Sequence, residues 1–269
     1  MDRGLTRKRS ALDELLGSFD EAVIAYSGGV DSAVLAAVAH EALGPRALAV
    51  TAVSPSLARR ERAAASELAQ RFGWNHIEVE TAEVGRDDYA RNAPDRCYWC
   101  KTELFEVLGP IAEARGATLM VGTNSDDLDD HRPGLRAARE QAVVAPLADV
   151  GLTKDDVRTI AGELGLPVAD KPASPCLASR FAYGVRVTAE GLSRIDAAEE
   201  VVRDLGFDVF RVRDHGDLAR IEVPPDRIAE LVAARDQIET RLRALGFAYV
   251  TVDLTGFRSG AMNEVLWIR

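Results

Sequence analysis

Ala25-Tyr26-Ser27-Gly28-Gly29-Val30-Asp31-Ser32-Ala33 decides the fold. A short apolar strand, Ala22 to Tyr26, runs into this stretch, and an Ala-rich helix, Ala33 to Leu43, runs out of it. A Ser-Gly-Gly turn between a strand and a helix lets consecutive backbone N–H groups point into one concavity. The helix dipole adds partial positive charge at the same place, so the turn is an anion cradle. A Walker loop would need G-x-x-x-x-G-K-[ST], with its lysine on the terminal phosphates. No lysine lies near this turn along the chain. The competing reading is a glycine turn in which Asp31 or Ser32 does no more than cap the helix.

Working outward, Leu12, Leu15, Leu16 and Phe19 have helical spacing ahead of the strand. Behind the loop, Ala47 to Val53 reads as a strand, Leu57 to Phe72 as a helix and His76 to Glu80 as a strand. Lys101 to Arg115 reads as a helix opened by Cys97-Tyr98-Trp99-Cys100, followed by strands at Ala117 to Val121 and Val143 to Ala145. Thr153-Lys154-Asp155-Asp156 starts a capped helix ending near Gly165. This alternation is that of an α/β fold, a doubly wound parallel sheet whose sites lie at the carboxyl ends of the strands. The loop at Ser27 lies at that edge. So does Gly122-Thr123-Asn124-Ser125-Asp126-Asp127-Leu128-Asp129-Asp130-His131-Arg132, where a glycine past a strand admits a ligand and carboxylates suit magnesium. The bland reading of the second stretch is a solvated acidic turn.

From Thr188 the character changes to helix (Thr188 to Leu205), strands (Asp208 to Arg213, Leu218 to Glu222), helix (Asp226 to Leu245) and strand (Tyr249 to Leu254). That order suggests a small α+β layer of ferredoxin-like kind. The expected domains are residues 1–184, carrying the loop, and 185–269, a smaller α+β substrate-binding and oligomerisation domain.

The chain has 269 residues, a formal charge of -10 and three cysteines. The acidic balance disfavours a grip on nucleic acid, which needs clustered Lys and Arg. No apolar run reaches the ~18 residues of a membrane span, and a cytoplasmic location is expected. Three cysteines do not make a disulfide framework. Four readings stand side by side. They are a three-cysteine iron–sulfur cluster with one open iron, zinc with His76 or His131 as fourth ligand, a redox C-x-x-C pair, and inert or independently acting thiols. Cys176 lies in a proline-fixed loop three residues before Ser179-Arg180, where cationic charge favours a nucleophilic thiolate. Arg211 and Arg213 alternate on a strand and face one side, either gripping a phosphate or forming a solvated face. Glu199 and Glu200 read as solvent-facing, and His40 and His215 as having no catalytic role.

Ser-Gly-Gly-Val-Asp-Ser matches S-G-G-x-D-S, the PP-loop of enzymes that split ATP between its α and β phosphates. Together with Arg-Cys-Tyr-Trp-Cys-Lys, Gly-Thr-Asn-x-Asp-Asp, Arg-Pro-Gly-Leu-Arg and Cys-Leu-x-Ser-Arg-Phe-x-Tyr-Gly, in this order, it resembles the LarE family of ATP-dependent sulfur transferases of nickel-pincer nucleotide biosynthesis. The resemblance implies an adenine nucleotide alpha hydrolase-like domain. It also implies adenylation of pyridinium-3,5-biscarboxylic acid mononucleotide with release of pyrophosphate, then displacement of AMP by sulfur. Ser27, Gly28, Gly29, Asp31, Ser32, Gly122, Thr123 and Asp127 would bind ATP with Mg2+. Ser179, Arg180, Arg211 and Arg213 would hold the substrate phosphate, and Trp99 and Lys101 would flank the substrate. One branch sacrifices the sulfur of the cysteine matching Cys176. The other holds a 4Fe-4S cluster on three cysteines, and the presence of Cys97, Cys100 and Cys176 places the expectation there. The sulfur donor is left open and a homo-oligomer is expected. Three alternatives share features: a tRNA thiolase, an amide-forming synthetase of the NAD or GMP type, and a nucleotide-binding iron–sulfur sensor.

Overall fold

A computed structural model describes residues 2–128, 133–172 and 174–258. In chain order it contains α1 (Arg3–Gly17), β1 (Ala22–Ala25), α2 (Val30–Leu43), β2 (Ala47–Val53), α3 (Arg59–Arg71) and β3 (His76–Glu80). Next come α4 (Asp87–Ala90), α5 (Arg96–Arg115), β4 (Thr118–Val121), α6 (Pro133–Glu140), α7 (Pro146–Asp149) and α8 (Lys154–Glu163). The chain continues with α9 (Ala189–Asp204), β5 (Arg211–Asp214), β6 (Leu218–Glu222), α10 (Ile228–Ala233), α11 (Arg235–Ala244) and β7 (Tyr249–Val252). Two compact units result, the described residues of Met1–Glu83 with Asp95–Ser174, and those of Val84–Pro94 with Pro175–Arg269.

The first unit holds a parallel sheet in the order β3-β2-β1-β4. Ala22 sits opposite Ala47 on one side and Thr118 on the other. Successive side chains of a strand face opposite ways. Ala22, Ile24, Ala47, Ala49 and Met120 therefore pack with α1, α2, α3 and α8, while Val23, Leu48 and Val50 pack on Leu108 and Ala112 of α5. α2 is apolar nearly all round because it lies inside this layer, buried from Ala33 to Ala39. The sheet is doubly wound, as the alternation predicts. β1 pairs with β2 and β4, whose connections leave in opposite directions, so the carboxyl end of β1 is the topological switch point.

Local chemistry sets the helix starts. Asp2 caps α1 by accepting from the N–H of Leu5, and Thr153 with Asp156 forms a reciprocal capping box on α8. The expected strand at Val143 to Ala145 is a single parallel bridge between Val144 and Met120. Pro146 follows at once and opens α7, so the ladder cannot continue. α5 begins at Arg96, a turn earlier than expected, which puts Cys97 and Cys100 inside the helix.

The second unit has a three-stranded sheet in the order β5-β6-β7, antiparallel between β5 and β6 and parallel between β6 and β7. It packs on α9, α10 and α11 through Val202, Phe207, Phe210, Val212, Leu231 and Leu242. The ferredoxin-like expectation thus reduces to a smaller mixed sheet, extended at β5 by a bridge from Phe181 to Asp214. The single helix expected over Asp226 to Leu245 is a 3-10 turn followed by α10 and α11, broken at Ala234. Nothing in the local sequence marks that break.

Among the described residues no helix is long and apolar enough to cross a membrane.

His40 supplies a pH-dependent contact. Its Nδ1 lies 2.7 Å from the carbonyl of Ala36, and its Nε2 accepts the N–H of Asn75 at 3.0 Å. Only the neutral ring, protonated on Nδ1, satisfies both. Burial pushes the His40 pKa down, with the backbone hydrogen bonds opposing. The unfolded chain therefore takes up the proton first as pH falls. The contribution is complete above about pH 6.5 and declines below it. Denaturant titrations of His40→Gln from pH 7 to pH 5 are expected to show a shallower acid-side loss of stability than wild type. His76 and His215 are also pushed down by burial, so some slope remains.

Candidate active site

In the first unit, the turn after β1 is held by a hydroxyl. The Ser32 Oγ accepts from the N–H of Ser27 at 3.1 Å, donates to the carbonyl of Gly29 at 3.1 Å and lies 3.1 Å from the Ser27 Oγ. Gly28 has a φ of 73°, and a Cβ there would lie 2.8 Å from the Cβ of Ala65. Gly29 is the N-cap of α2 and offers no side chain to its first turn. The leading N–H groups of this helix have no intrahelical partner. Free N–H groups at a helix start suit an anion.

The β4 turn closes against it. A Cβ on Gly122 would come within 2.7 Å of the backbone nitrogen of Ser32 and 2.9 Å of the carbonyl carbon of Asp31. Asn124, 1 % exposed, is the hub between the two turns. Its Nδ2 donates to the Asp31 Oδ1 at 3.0 Å, its Oδ1 accepts from the N–H groups of Asp126 and Asp127, and its own N–H donates to the Asp127 Oδ2. The carbonyl of Thr123 accepts from the N–H of Ala148. Asp129, Asp130, His131 and Arg132 lie outside the described residues.

The fold also brings cations that are remote in sequence. The Lys154 Nζ pairs with the Asp31 Oδ2, and the Lys154 N–H donates to the Asp126 Oδ2. The Lys171 Nζ pairs with Glu61 at 2.6 Å and lies 3.5 Å from the carbonyl of Gly28. The absence of a nearby lysine along the chain therefore does not hold in space. Asn124, Lys154 and Lys171 are contacts that sequence reasoning missed. The Thr153 capping box, which places Lys154 at the first position of α8, is the one local signal.

At the end of β2, the hydroxyls of Ser54 and Ser56 donate to one oxygen of the buried Glu83. His76 is engaged by Thr51, whose Oγ1 lies 2.9 Å from its Nε2.

Cys97 and Cys100 occupy the first turn of α5, three residues apart on one helix face. Gly134 packs against the carbonyl of Cys97 and the Lys101 side chain. The Trp99 indole N–H donates to Asp95 at 3.1 Å, and Tyr98 carries Arg136 over its ring, 3.9 Å from its centre.

In the second unit, Cys176 precedes a 3-10 turn, Leu177–Arg180. Arg180, 3 % exposed, forms a two-pronged pair with Glu199, its Nε 2.8 Å from Oε1 and its Nη2 3.0 Å from Oε2. Its Nη1 donates to the carbonyls of Pro175 and Cys176 and to the Ser179 Oγ. Arg180 therefore clamps the backbone at Cys176. Arg213 makes the equivalent pair with Glu222, at 3.0 and 2.8 Å, and donates to the carbonyl of Ser179. The solvent-facing reading of Glu199 is corrected, because the carboxylate is buried between Arg180 and the N–H of Val212. Glu200, beside it, pairs with Arg203 at the surface.

Arg211 shares the β5 face with Arg213. Burial, reinforced by the charges of Arg180 and Arg213 and opposed by Glu199 and Glu222, pushes its pKa down to about 10. A phosphate there would relieve that penalty, because an opposite charge favours the protonated guanidinium.

Among the described residues no group of three or more His, Cys, Asp or Glu side chains is gathered closely enough to hold a metal. Cys97, Cys100 and His76 belong to the first unit and Cys176 to the second.

The asparagine synthase family model matches residues 10–112. An uncharacterized protein of Synechocystis sp. is 46% identical over 97% of this chain and 99% of its own. The pyridinium-3,5-bisthiocarboxylic acid mononucleotide synthase of Lactiplantibacillus plantarum is 38% identical over 97% of this chain and 96% of its own. An uncharacterized protein of Methanocaldococcus jannaschii is 32% identical over 88% and 90%.

Proposed function

Because this chain belongs to the LarE family of the pyridinium-3,5-bisthiocarboxylic acid mononucleotide synthase, and is an ATP-dependent sulfurtransferase, we propose that it makes the thiocarboxylate of that mononucleotide. The observation that carries the reading is the stitched turn of Ser27 to Ser32 at the switch point of the sheet, closed by Gly122.

In this reading Ser27, Gly28, Gly29, Asp31, Ser32, Gly122, Thr123 and Asp127 take ATP. A substrate carboxylate oxygen attacks the α-phosphorus, and the bond from that phosphorus to the bridging oxygen breaks, releasing pyrophosphate. A sulfur nucleophile then adds to the activated carbonyl carbon and AMP leaves. The chain contributes the donors that bear the leaving pyrophosphate, since fixed N–H groups cost no reorganisation as charge develops. Asp31 and Asp127 offer the hard oxygens that Mg2+ takes, and the ion would neutralise the polyphosphate. Lys154 already holds one Asp31 oxygen, so that carboxylate suits a cation. In the second unit Arg211 and Ser179 would hold the substrate phosphate, while Arg180 and Arg213, expected as phosphate ligands, spend their donors on Glu199, Glu222 and backbone carbonyls and position that pair instead. Trp99 and Lys101 flank the substrate.

For the sulfur, the cluster reading draws on the count and spacing of Cys97, Cys100 and Cys176. The three cysteines are divided between the two units, and no step is derived through the cluster. The clamp of Arg180 on the backbone at Cys176 supports a second reading in which Cys176 gives up its own sulfur. Anaerobic reconstitution with iron and sulfide, followed by iron counting and absorbance, separates the two. The cluster reading expects iron bound by wild type and lost in Cys97→Ala, together with loss of multiple turnover. A variant that still turns over repeatedly sinks it. Conversion of Cys176 to dehydroalanine, one per product, establishes the sacrificial reading by mass spectrometry.

A further inference from the structure

Lys171 sits where a polyphosphate needs a cation. Its backbone is pinned, because its N–H donates to the carbonyl of Val168 and its carbonyl accepts from the Arg158 Nη2 at 3.1 Å. Its ammonium reaches Glu61 at 2.6 Å and the Gly28 carbonyl at 3.5 Å. An ammonium has three donors. These two acceptors leave one N–H for a ligand, on a side chain that is 23% exposed. The φ of 73° and the contact with Ala65 admit only glycine at position 28.

The other lysine at the turn is more firmly placed. Lys154 compensates Asp31 and is anchored through its own N–H to Asp126. Glu61, by contrast, lies in the first turn of α3, where the helix dipole steadies a carboxylate that loses its partner. A part-exposed lysine–glutamate pair contributes little, and a polyphosphate carries more negative charge than the single carboxylate of Glu61. The greater charge of a bound polyphosphate draws the ammonium from Glu61.

We propose that Lys171 is the polyphosphate-binding lysine of this site. Its ammonium, held by Glu61 and Gly28, passes to the β- and γ-phosphates when ATP binds, and it does from α8's far side what a Walker lysine does from within its loop. The proposal rests on the ATP-splitting reading above.

Calorimetric binding of ATP, pyrophosphate and AMP to wild type, Lys171→Gln, Lys171→Arg and Glu61→Gln tests it. Lys171→Gln is expected to weaken ATP and pyrophosphate about 10- to 100-fold and AMP less than about twofold. Lys171→Arg is expected to recover most of the loss, and Glu61→Gln to bind ATP no more weakly than wild type. A merely structural lysine would weaken ATP and AMP alike, and that result, or unchanged ATP binding, overturns the proposal. Should Lys171→Gln not fold, acetylation of wild-type lysines read by peptide mass spectrometry decides. ATP is expected to protect Lys171 and AMP to leave it reactive, and equal reactivity with both overturns the assignment. Wild type that binds AMP and pyrophosphate but forms neither from ATP overturns the ATP-splitting reading, and the Lys171 contact is then decided by pyrophosphate binding to Lys171→Gln. Wild type that binds none of the three overturns both.

Discussion

Glu199→Ala is expected to destabilise the second unit by about 3–5 kcal/mol, the cost of stranding one member of a buried ion pair. The geometry is demanding. Arg180 is 3 % exposed and Glu199 5 %, and both guanidinium edges used in the pair meet carboxylate oxygens within 3.0 Å. Removal of the carboxylate leaves a guanidinium in a site that water does not reach, and also frees the N–H of Val212. The same arginine holds the carbonyls of Pro175 and Cys176, so sulfur transfer is expected to fall with stability. Glu199→Gln keeps an acceptor and is expected to lose less. Denaturant unfolding of both variants, with a loss below about 1 kcal/mol for alanine, would show that the pair is not the keystone described.

Gly122→Ala is expected to reduce formation of AMP and pyrophosphate by about 100-fold, the cost of displacing positioned groups by roughly 1 Å. The added methyl meets backbone alone, the nitrogen and Cα of Ser32 and the carbonyl carbon of Asp31, all within 2.9 Å. No rotamer relieves that contact. The ladder of Val121 with Ala25 holds the end of β4, so the strain falls on the start of α2 and on the hydroxyl of Ser32 that ties the turn. Such overpacking costs typically 1–3 kcal/mol in stability. Gly109→Ala is the control, since a Cβ on Gly109 meets nothing within 4 Å and alanine favours the helix. Equal activity of the two variants would remove Gly122 from the site.

The turn at Ser27, the parallel sheet around it and the helices on both faces are legible in the chain. Each is a local matter: glycines that permit a positive φ, apolar runs of strand length, and a capping box at Thr153. Local signals also mislead where packing decides. Pro146 stops at one bridge a strand that apolar residues favour, and the break at Ala234 has no marker in sequence.

The candidate site divides the same way. Ser27, Gly28, Gly29, Asp31 and Ser32 are contiguous, and their spacing carries their chemistry. Glu199 looks solvent-facing on helical periodicity, and only the fold sets Arg180 against it, 19 positions away. Lys154 and Lys171 stand 123 and 143 positions from their partners at the turn. The sequence by itself determines an anion-cradling turn on a doubly wound sheet, because backbone conformation follows from neighbours. Tertiary structure alone decides which charges meet that turn and which carboxylates bury the arginines. Pairing between distant side chains leaves no period or motif, and burial is a property of what the rest of the chain lays on top.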